Sequence, residues 1–364
     1  MLQQIRKWIF PTAALIVGIG LMYLALRGVD FDSLWKDLAR GNYVWTIPFV
    51  GFTLIAHLIR SWRWRILLEA LPDQRSGAPR ISLLTAYSSV MIGFMANYAA
   101  PRLGEFVRAS HMSLRQKLRF GSVFGTVVAD RILDMVMLGL CLLTLPLVLG
   151  GRFANLMGLM TDAVGADSIR RVAWIAGVIG LTLIFAGALA IRAYRSRGNE
   201  NRYSKLENVF TAFKDGVTSL TRSGHTVALV TSTLVMWACY LFLAYIPLLI
   251  FGLAGNGGLN LTDAWALLLI GTLGIIVPSP GGVGSYHFVT IQSLVILWGI
   301  SQESAASYAI FAHGAQLILY TIVGFTFVLI EGATWRELKS VPTKSATESA
   351  LPTPNTVEKE RSNA

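Results

Sequence analysis

Apolar side chains run almost unbroken through Trp8–Leu26, Tyr43–Ile59, Ser122–Leu149, Val172–Ile191, Val227–Phe251 and Tyr308–Ile330. A run of roughly 20 such residues is long enough to cross the hydrocarbon core of a bilayer as a helix. The pattern therefore predicts about six full spans. Two further apolar stretches, Ile81–Ala100 and Ala264–Ile300, behave differently. The first runs into Pro101-Arg102-Leu103-Gly104, and the second is broken by Pro278-Ser279-Pro280-Gly281-Gly282-Val283-Gly284. Proline removes a backbone donor and glycine weakens a helix. Inside a bilayer such a break survives only where protein or a wet cavity satisfies the freed backbone groups.

Composition agrees with a membrane protein. Of 364 residues 54% are hydrophobic and only 14% are charged, with a mean hydropathy of +0.57. Soluble domains carry about 25% charged residues, so a soluble enzyme, a disordered chain and a free nucleic-acid binder are excluded. The net charge of +11 and pI near 9.9 point to an anionic bilayer surface as partner, with no nucleic acid. Cys141 and Cys239 both lie in apolar runs and indicate neither a disulfide frame nor a metal site. Arg6 and Lys7 precede the first apolar run, which is too long for a signal peptide and lacks a good cleavage site, so an uncleaved anchor is expected.

Charge also orients the chain. If both broken stretches dip in and return to the same side, residues 1–8, 60–80, 102–119, 192–225 and the tail share one face. That face then holds 24 Lys/Arg against 6 on the other, as the positive-inside rule requires of a cytoplasmic face. A plain crossing at Ile81–Ala100 would move two basic segments outside. Both termini are therefore expected in the cytoplasm, with the chain in a bacterial inner membrane.

Under this threading each half of the chain contains the same four elements in opposite orientation. The expectation is an all-α polytopic protein of two inverted-topology repeats, about 5–150 and 170–331, each with one re-entrant helical hairpin. The transmembrane domain would cover 1–335, followed by a disordered cytoplasmic tail at 336–364, rich in Ser, Thr, Pro, Glu and Lys. Transporters of this kind bind substrate where their broken helices meet. Two ordinary spans kinked by proline are the plainer alternative.

Three charged residues fall inside a span: Asp130, Arg131 and Asp134. Each costs on the order of 2.5–3.5 kcal/mol at mid-depth. Their spacing lets Arg131 and Asp134 pair on one helix face. A substrate or proton-linked site and a structural ion pair both remain open. Near the first break, Asn97, Pro101, Arg102, Gly104, Glu105 and Arg108 form a second group. Pro101 and Gly104 read as a turn, and Glu105 suits the start of the next helix. Glu105 and Arg108 could form a simple surface pair, while Arg102 and Arg108 have the forked geometry that matches phosphate. Arg60-Ser61-Trp62-Arg63-Trp64-Arg65 reads first as an interfacial anchor of tryptophan and snorkelling arginine. The basic stretch Arg192–His225 reads as a partly amphipathic segment on the inner leaflet. In the second half Pro280, Gly281, Gly282 and Gly284 expose backbone groups, and His287 and His313 follow. The glycine-rich run lacks the lysine of a phosphate-binding P-loop. A lone membrane histidine is more often a packing residue than a titrating one. No metal or nucleophile spacing appears, and no cofactor is expected.

Taken together, Arg60–Trp64, Pro101-Arg102-Leu103-Gly104-Glu105-Phe106-Val107-Arg108, Asp130-Arg131-Ile132-Leu133-Asp134 and Pro278–Gly284 resemble the flippase-like family named after the transmembrane region of lysylphosphatidylglycerol synthase. That family includes the membrane half of the multiple peptide resistance factor. The resemblance covers roughly residues 5–335 and implies an inverted repeat with two re-entrant helices. Where the family usually continues its glycine motif with Arg and Glu, this chain has Tyr286 and His287, and His313 replaces a frequent basic residue of the last span. The soluble aminoacyltransferase domain of full-length synthases is absent, so lysine transfer from tRNA is not expected. The resemblance implies a translocase of a phospholipid, glycolipid or polyisoprenoid-linked lipid, or a lipid-handling partner in envelope lipid biosynthesis. A secondary transporter of a small solute or ion is the rival reading. Membrane lipids with an anionic headgroup, a lipid-biosynthetic enzyme and a second copy of the chain are the candidate partners.

Overall fold

A computed structural model describes residues 2–75, 80–100, 102–152, 154, 204–255, 258–277 and 279–332, with side chains from Thr12 onward except at 73, 75, 204–210 and 212. Among these the protein is all-α, with no strand beyond one isolated bridge between Ala254 and Leu259. The predicted span Val172–Ile191, the tail 336–364 and the two prolines Pro101 and Pro278 lie outside the described residues.

Four helical stretches are long and apolar enough to cross a membrane: Tyr43–Glu69, Phe120–Leu149, Thr226–Ile250 and Gln302–Glu331. A fifth is a bent pair, Thr12–Leu26 with Phe31–Arg40, turned by 87°. Helix α1 (Leu2–Leu26) ends at Gly28, whose positive φ makes the turn. Helix α2 (Phe31–Arg40) starts at Asp30, whose carboxylate accepts the Asp32 N–H. The Ser33 hydroxyl and that N–H hold the Asp30 carboxyl below its ordinary range. Leu34 faces inward while Phe31 and Trp35 are exposed, as in a helix lying along an interface.

Helix α3 (Thr46–Glu69) extends ten residues past the predicted end of its span, because no proline or glycine falls between Arg60 and Glu69. Next comes the first hairpin. Its arms are α4 (Leu83–Asn97, 15 residues) and α5 (Leu103–Gln116, 14 residues). At 1.5 Å per residue each arm reaches about 22 Å, short of the roughly 30 Å hydrocarbon core. The arms cross at two glycines, where any Cβ on Gly104 would overlap the Gly93 carbonyl. The Gly104 N–H donates to Asn97 Oδ1 at 2.7 Å and closes the turn. Between the arms Arg102 sits in the left-handed region at φ 60°.

The basic segment 102–119, expected to be a connecting segment, is instead mostly this packed α5 arm. Val107, Arg108, Ala109, His111 and Met112 are buried. Its charges concealed it, since Arg108 finds a buried carboxylate on the neighbouring helix α6 (Phe120–Leu142). Helix α7 (Ser204–Arg222), from the segment expected on the inner leaflet, packs along α6. Gly125 and Gly216 face each other there so closely that neither tolerates a Cβ, the close approach that small residues permit in membrane bundles.

After α8 (Thr226–Ile250) the second hairpin forms from α9 (Leu261–Ile276) and α10 (Ser285–Trp298). Asn260 and Asp263 start α9 with a reciprocal capping box. Helix α11 (Gln302–Glu331) is continuous over 30 residues, about 45 Å, so its two ends mark opposite ends of the bundle. At its C-terminal end Arg115 of α5 bonds Glu331 at 3.0 Å. At its N-terminal end Gln302 donates to the Arg27 carbonyl at 2.8 Å and Ser304 to Asp37 at 2.7 Å. The first hairpin thus opens at one end of the bundle and the second, which runs directly into α11, at the other. Their tips meet inside, where the Tyr98 ring lies against the Cα of Gly281.

Candidate functional site

A cavity of about 610 Å³ lies where the two tips meet. It is bounded by α3, both hairpin tips, α6, α8, α9 and α11. One wall is charged. Asp130 is completely buried and accepts from Arg63 Nε at 2.9 Å and Arg108 Nη1 at 3.0 Å, with Arg60 Nη1 at 3.4 Å. Asp134, one turn on, accepts from Arg60 at 2.8 Å and Arg63 at 2.7 Å. Arg63 also donates to Thr233 Oγ1, and Arg60 to the Tyr240 hydroxyl at 3.0 Å. The fourth arginine, Arg131, donates to Glu105 at 2.9 Å and stands 3.8 Å from Asp134. Arg108 keeps Nε and Nη2 without hydrogen-bond partners, but its guanidinium lies 3.8 Å from the centre of the Trp64 ring. A cation over an indole face recovers part of its desolvation cost.

The residues singled out from sequence divide by place. Asn97, Arg102, Glu105, Arg131, Asp134, Gly281, Gly282 and His313 line the cavity. Arg108 and Asp130 are buried behind its charged wall. Gly104 works at the hairpin crossing, and Pro280 begins the one-turn helix Pro280–Gly282 at the second tip. Gly284 packs on Gly18 of α1 with no room for a Cβ. His287 stands behind His313, their rings perpendicular with centres 5.0 Å apart. His313 Nε2 donates to the Gly281 carbonyl at 2.9 Å, so it holds the tip in place. The expected Glu105–Arg108 pair does not form, since each finds its partner on α6 instead.

Tyr98, Tyr240, Gln316 and Tyr320 line the cavity without having been singled out from sequence, and two arginines of its charged wall were misassigned. Arg60 and Arg63 are not anchors at the end of a span but the main partners of Asp130 and Asp134. Arg65 and Trp62 of the same run do behave as anchors, with Arg65 pairing Glu69 at 3.2 Å and Trp62 exposed. The missed signal was the match between cations three apart on one helix and carboxylates four apart on another.

Beside Arg60, toward His57 on the same helix, the polar groups are neutral. His57 Nε2 lies 2.9 Å from the Tyr320 hydroxyl, which donates to Gln316 Oε1 at 3.1 Å. Tyr98 meets His313 edge-on and Tyr320 at a tilt, with ring centres 6.2 and 6.4 Å apart. On its remaining side the cavity meets Phe106, Met135, Ile275 and Ile276, all large, apolar and exposed on the bundle surface. Helices α6 and α9 touch only sparsely there. The site is thus a largely apolar chamber with one charged wall and an apolar side opening.

The lysylphosphatidylglycerol synthase TM region family matches residues 12–324 of the chain. The chain belongs to this family, as its motifs led us to expect. It is also similar to a Haloferax volcanii protein named glycosyltransferase AglD, 24% identical over 347 residues, covering 88% of this chain and 54% of that protein. A UPF0104 membrane protein of Methanocaldococcus jannaschii is 26% identical over 126 residues, 34% of this chain and 36% of that one. The chain therefore spans about half the length of the first relative and about a third of the second. No solved structure matches.

Proposed function

We propose, with this family membership as premise, that the protein moves a lipid with a phosphorylated headgroup between the leaflets of the inner membrane. The observation that carries the reading is the side opening. A chamber for a water-soluble solute needs no apolar gap in its wall, whereas a lipid must keep its acyl chains in hydrocarbon while its headgroup enters. Phe106, Met135, Ile275 and Ile276 offer the chains such a path. The same gap disfavours the small-solute alternative.

In this reading the headgroup phosphate meets Arg102 first. Arg102 is exposed, lines the chamber and forms no ion pair with any described residue. Its left-handed backbone is the strained conformation that functional positions tend to retain. Arg60 and Arg131 approach the phosphate from behind, oriented by Asp134 and Glu105. Asp130 with Arg63 and Arg108 forms the rigid base of that wall. Alternating access would come from one repeat rocking against the other about the contact between Tyr98 and Gly281. The inverted repeat, the cytoplasmic termini and the inner-membrane location belong to this proposal. Hairpins opening at opposite ends of the bundle support it, as does the excess of Lys/Arg on one face. A relative named as a glycosyltransferase supports a place beside an envelope lipid-synthesising enzyme.

The test is reconstitution into liposomes containing lipids with a fluorescent acyl chain, followed by chemical quenching from outside. Wild type should expose inner-leaflet probe to the quencher, and Arg102→Ala should slow this about tenfold or more, the loss of one charge-assisted phosphate contact of about 1.5–3 kcal/mol. Wild-type vesicles as slow as protein-free ones for every lipid would refute the proposal.

A further inference from the structure

Two histidines hold the second tip shut, and their partners fix which ring nitrogens carry hydrogen. His313 Nε2 lies 2.9 Å from the Gly281 carbonyl, which can only accept, so that nitrogen is protonated. His287 Nδ1 lies 3.4 Å from the Gly284 backbone nitrogen, which can only donate, so that nitrogen is bare. Among the described residues, His313 is the sole side chain from outside the second hairpin that bonds the tip backbone. Other side-chain bonds of the tip stay within the hairpin, with Ser279 and Ser285 hydroxyls 2.9 Å apart and Ser285 donating to the Gly282 carbonyl at 3.2 Å. Both rings are buried, and their centres stand 5.0 Å apart.

Nothing packed on this pair answers a positive charge. From α10 itself comes Tyr286, stacked on His313 with ring centres 5.3 Å apart. The first tip adds Tyr98, and α11 adds Tyr308 and Tyr320. All are phenols. Helix α1 presents Gly18 to the tip, and its Tyr23 is exposed. The one ionisable side chain of α9, Asp263, lies at the far end of that helix and pairs with Arg152 at 3.0 Å. Across the chamber stand Arg60, Arg102 and Arg131, with Asp134 and Glu105 already paired to arginine. A proton on either ring is therefore a buried cation with no carboxylate to receive it, a costly state. On His287 it also sets an Nδ1–H against the Gly284 N–H, donor against donor. Two such charges 5.0 Å apart would repel strongly, so the pair takes one proton at most. The charge is relieved where the tip parts from α11 and water reaches the rings. Two conformations that bind protons unequally are shifted by pH. Here the closed tip binds none and the released tip binds one. Closure is thus favoured above the ordinary histidine range and lost as pH falls through about 6.5.

We infer that His287 and His313 form a single-proton site that locks the second tip while neutral and releases it when protonated, which couples lipid movement to protons on the side where the second hairpin opens. The inference rests on the translocation reading above and names what drives it. Two conservative variants separate titration from packing. Asparagine places Oδ1 where His287 has Nδ1, and glutamine places Nε2 where His313 has Nε2. His287→Asn and His313→Gln therefore keep both bonds but cannot take the proton. The full-length protein is reconstituted with acyl-labelled phosphatidylglycerol, whose phosphodiester keeps its charge over the range used. Because the tip is closed in this structure, its release is the uphill step and acid should speed movement. Wild type should move the probe about fivefold or more faster at about pH 5.5 than at about pH 7.5, and the double variant about equally at both. Equal wild-type rates, or an acid acceleration that survives in the double variant, would overturn the inference. Proton binding is read without transport by nitrogen-15 NMR of histidine-labelled protein in nanodiscs, with the His287 signal identified by its loss in His287→Asn. Its bare Nδ1 resonance should give way to a protonated one between about pH 7.5 and about pH 5.5. Persistence of the bare form at about pH 5 overturns the site even where lipid moves. If no lipid moves faster than in protein-free vesicles, translocation fails, and this titration alone decides the proton site.

Discussion

At the scale of the residue, the site depends on how one helix turn of α6 settles its charges. Asp130 is fully enclosed by three arginines from two other helices, whereas Glu105 holds a single arginine and keeps partial access to the chamber. Removing one partner from a buried ionic cluster strands the others without solvent, at a cost of about 3–5 kcal/mol. A half-exposed pair contributes about 1 kcal/mol or less. Asp130→Ala should therefore melt many degrees below wild type in detergent, and Glu105→Ala should melt close to it. Equal melting of wild type and Asp130→Ala would mean that the arginines find other partners. The carboxylates of this cluster were legible in the sequence because they interrupt an apolar run. Arg60 and Arg63 were not, because arginine among tryptophans at the end of an apolar run has the composition of an interfacial anchor. What separates the two cases is where the helix stops. Nothing between Arg60 and Glu69 breaks it, so α3 carries both arginines alongside α6.

At the scale of the element, the two hairpins follow from their breaks. Proline and glycine inside apolar runs announced both turns, and arms of 14 to 16 residues are too short to cross. The return arm of the first hairpin was hidden because α5 is basic and amphipathic, the composition of a surface helix. Its polar face turns inward only because α6 supplies Asp130 for Arg108. Contact between the tips was not legible at all, since it depends on a ring and a bare Cα brought together from positions 98 and 281. That contact makes a direct prediction. A Cβ on Gly281 would overlap the Tyr98 ring, and alanine at φ 61° carries a further penalty of about 1–2 kcal/mol. Gly281→Ala should slow lipid movement strongly. Adding Tyr98→Ala should restore part of the rate by removing the overlapped ring, leaving only the backbone penalty. A double variant slower than Gly281→Ala alone would show that the tips do not gate through this contact.

At the scale of the whole molecule, orientation follows from charge and can be read independently of transport. The sequence count of 24 against 6 included Arg60, Arg63 and Arg108, which the structure takes out of the aqueous segments and into the protein interior. Without them 21 Lys/Arg still stand against 6, so the asymmetry does not depend on the residues that were misassigned. In the orientation proposed above, Arg80, before the first hairpin, faces the cytoplasm and Lys36, on α2, the far side. Both positions are exposed, and the native thiols Cys141 and Cys239 are buried, so background labelling is low. A membrane-impermeant maleimide added to intact spheroplasts should label Lys36→Cys at once and Arg80→Cys only after permeabilisation. The opposite pattern would invert the molecule. The first hairpin would then open to the outside, and the chamber's arginines would have to be approached from the leaflet opposite to the one where phospholipids are made. Labelling of both sites in intact spheroplasts would be more damaging still. Lys36 and Arg80 are separated by one full span, α3, and the same reagent can reach both from outside only if that helix does not cross.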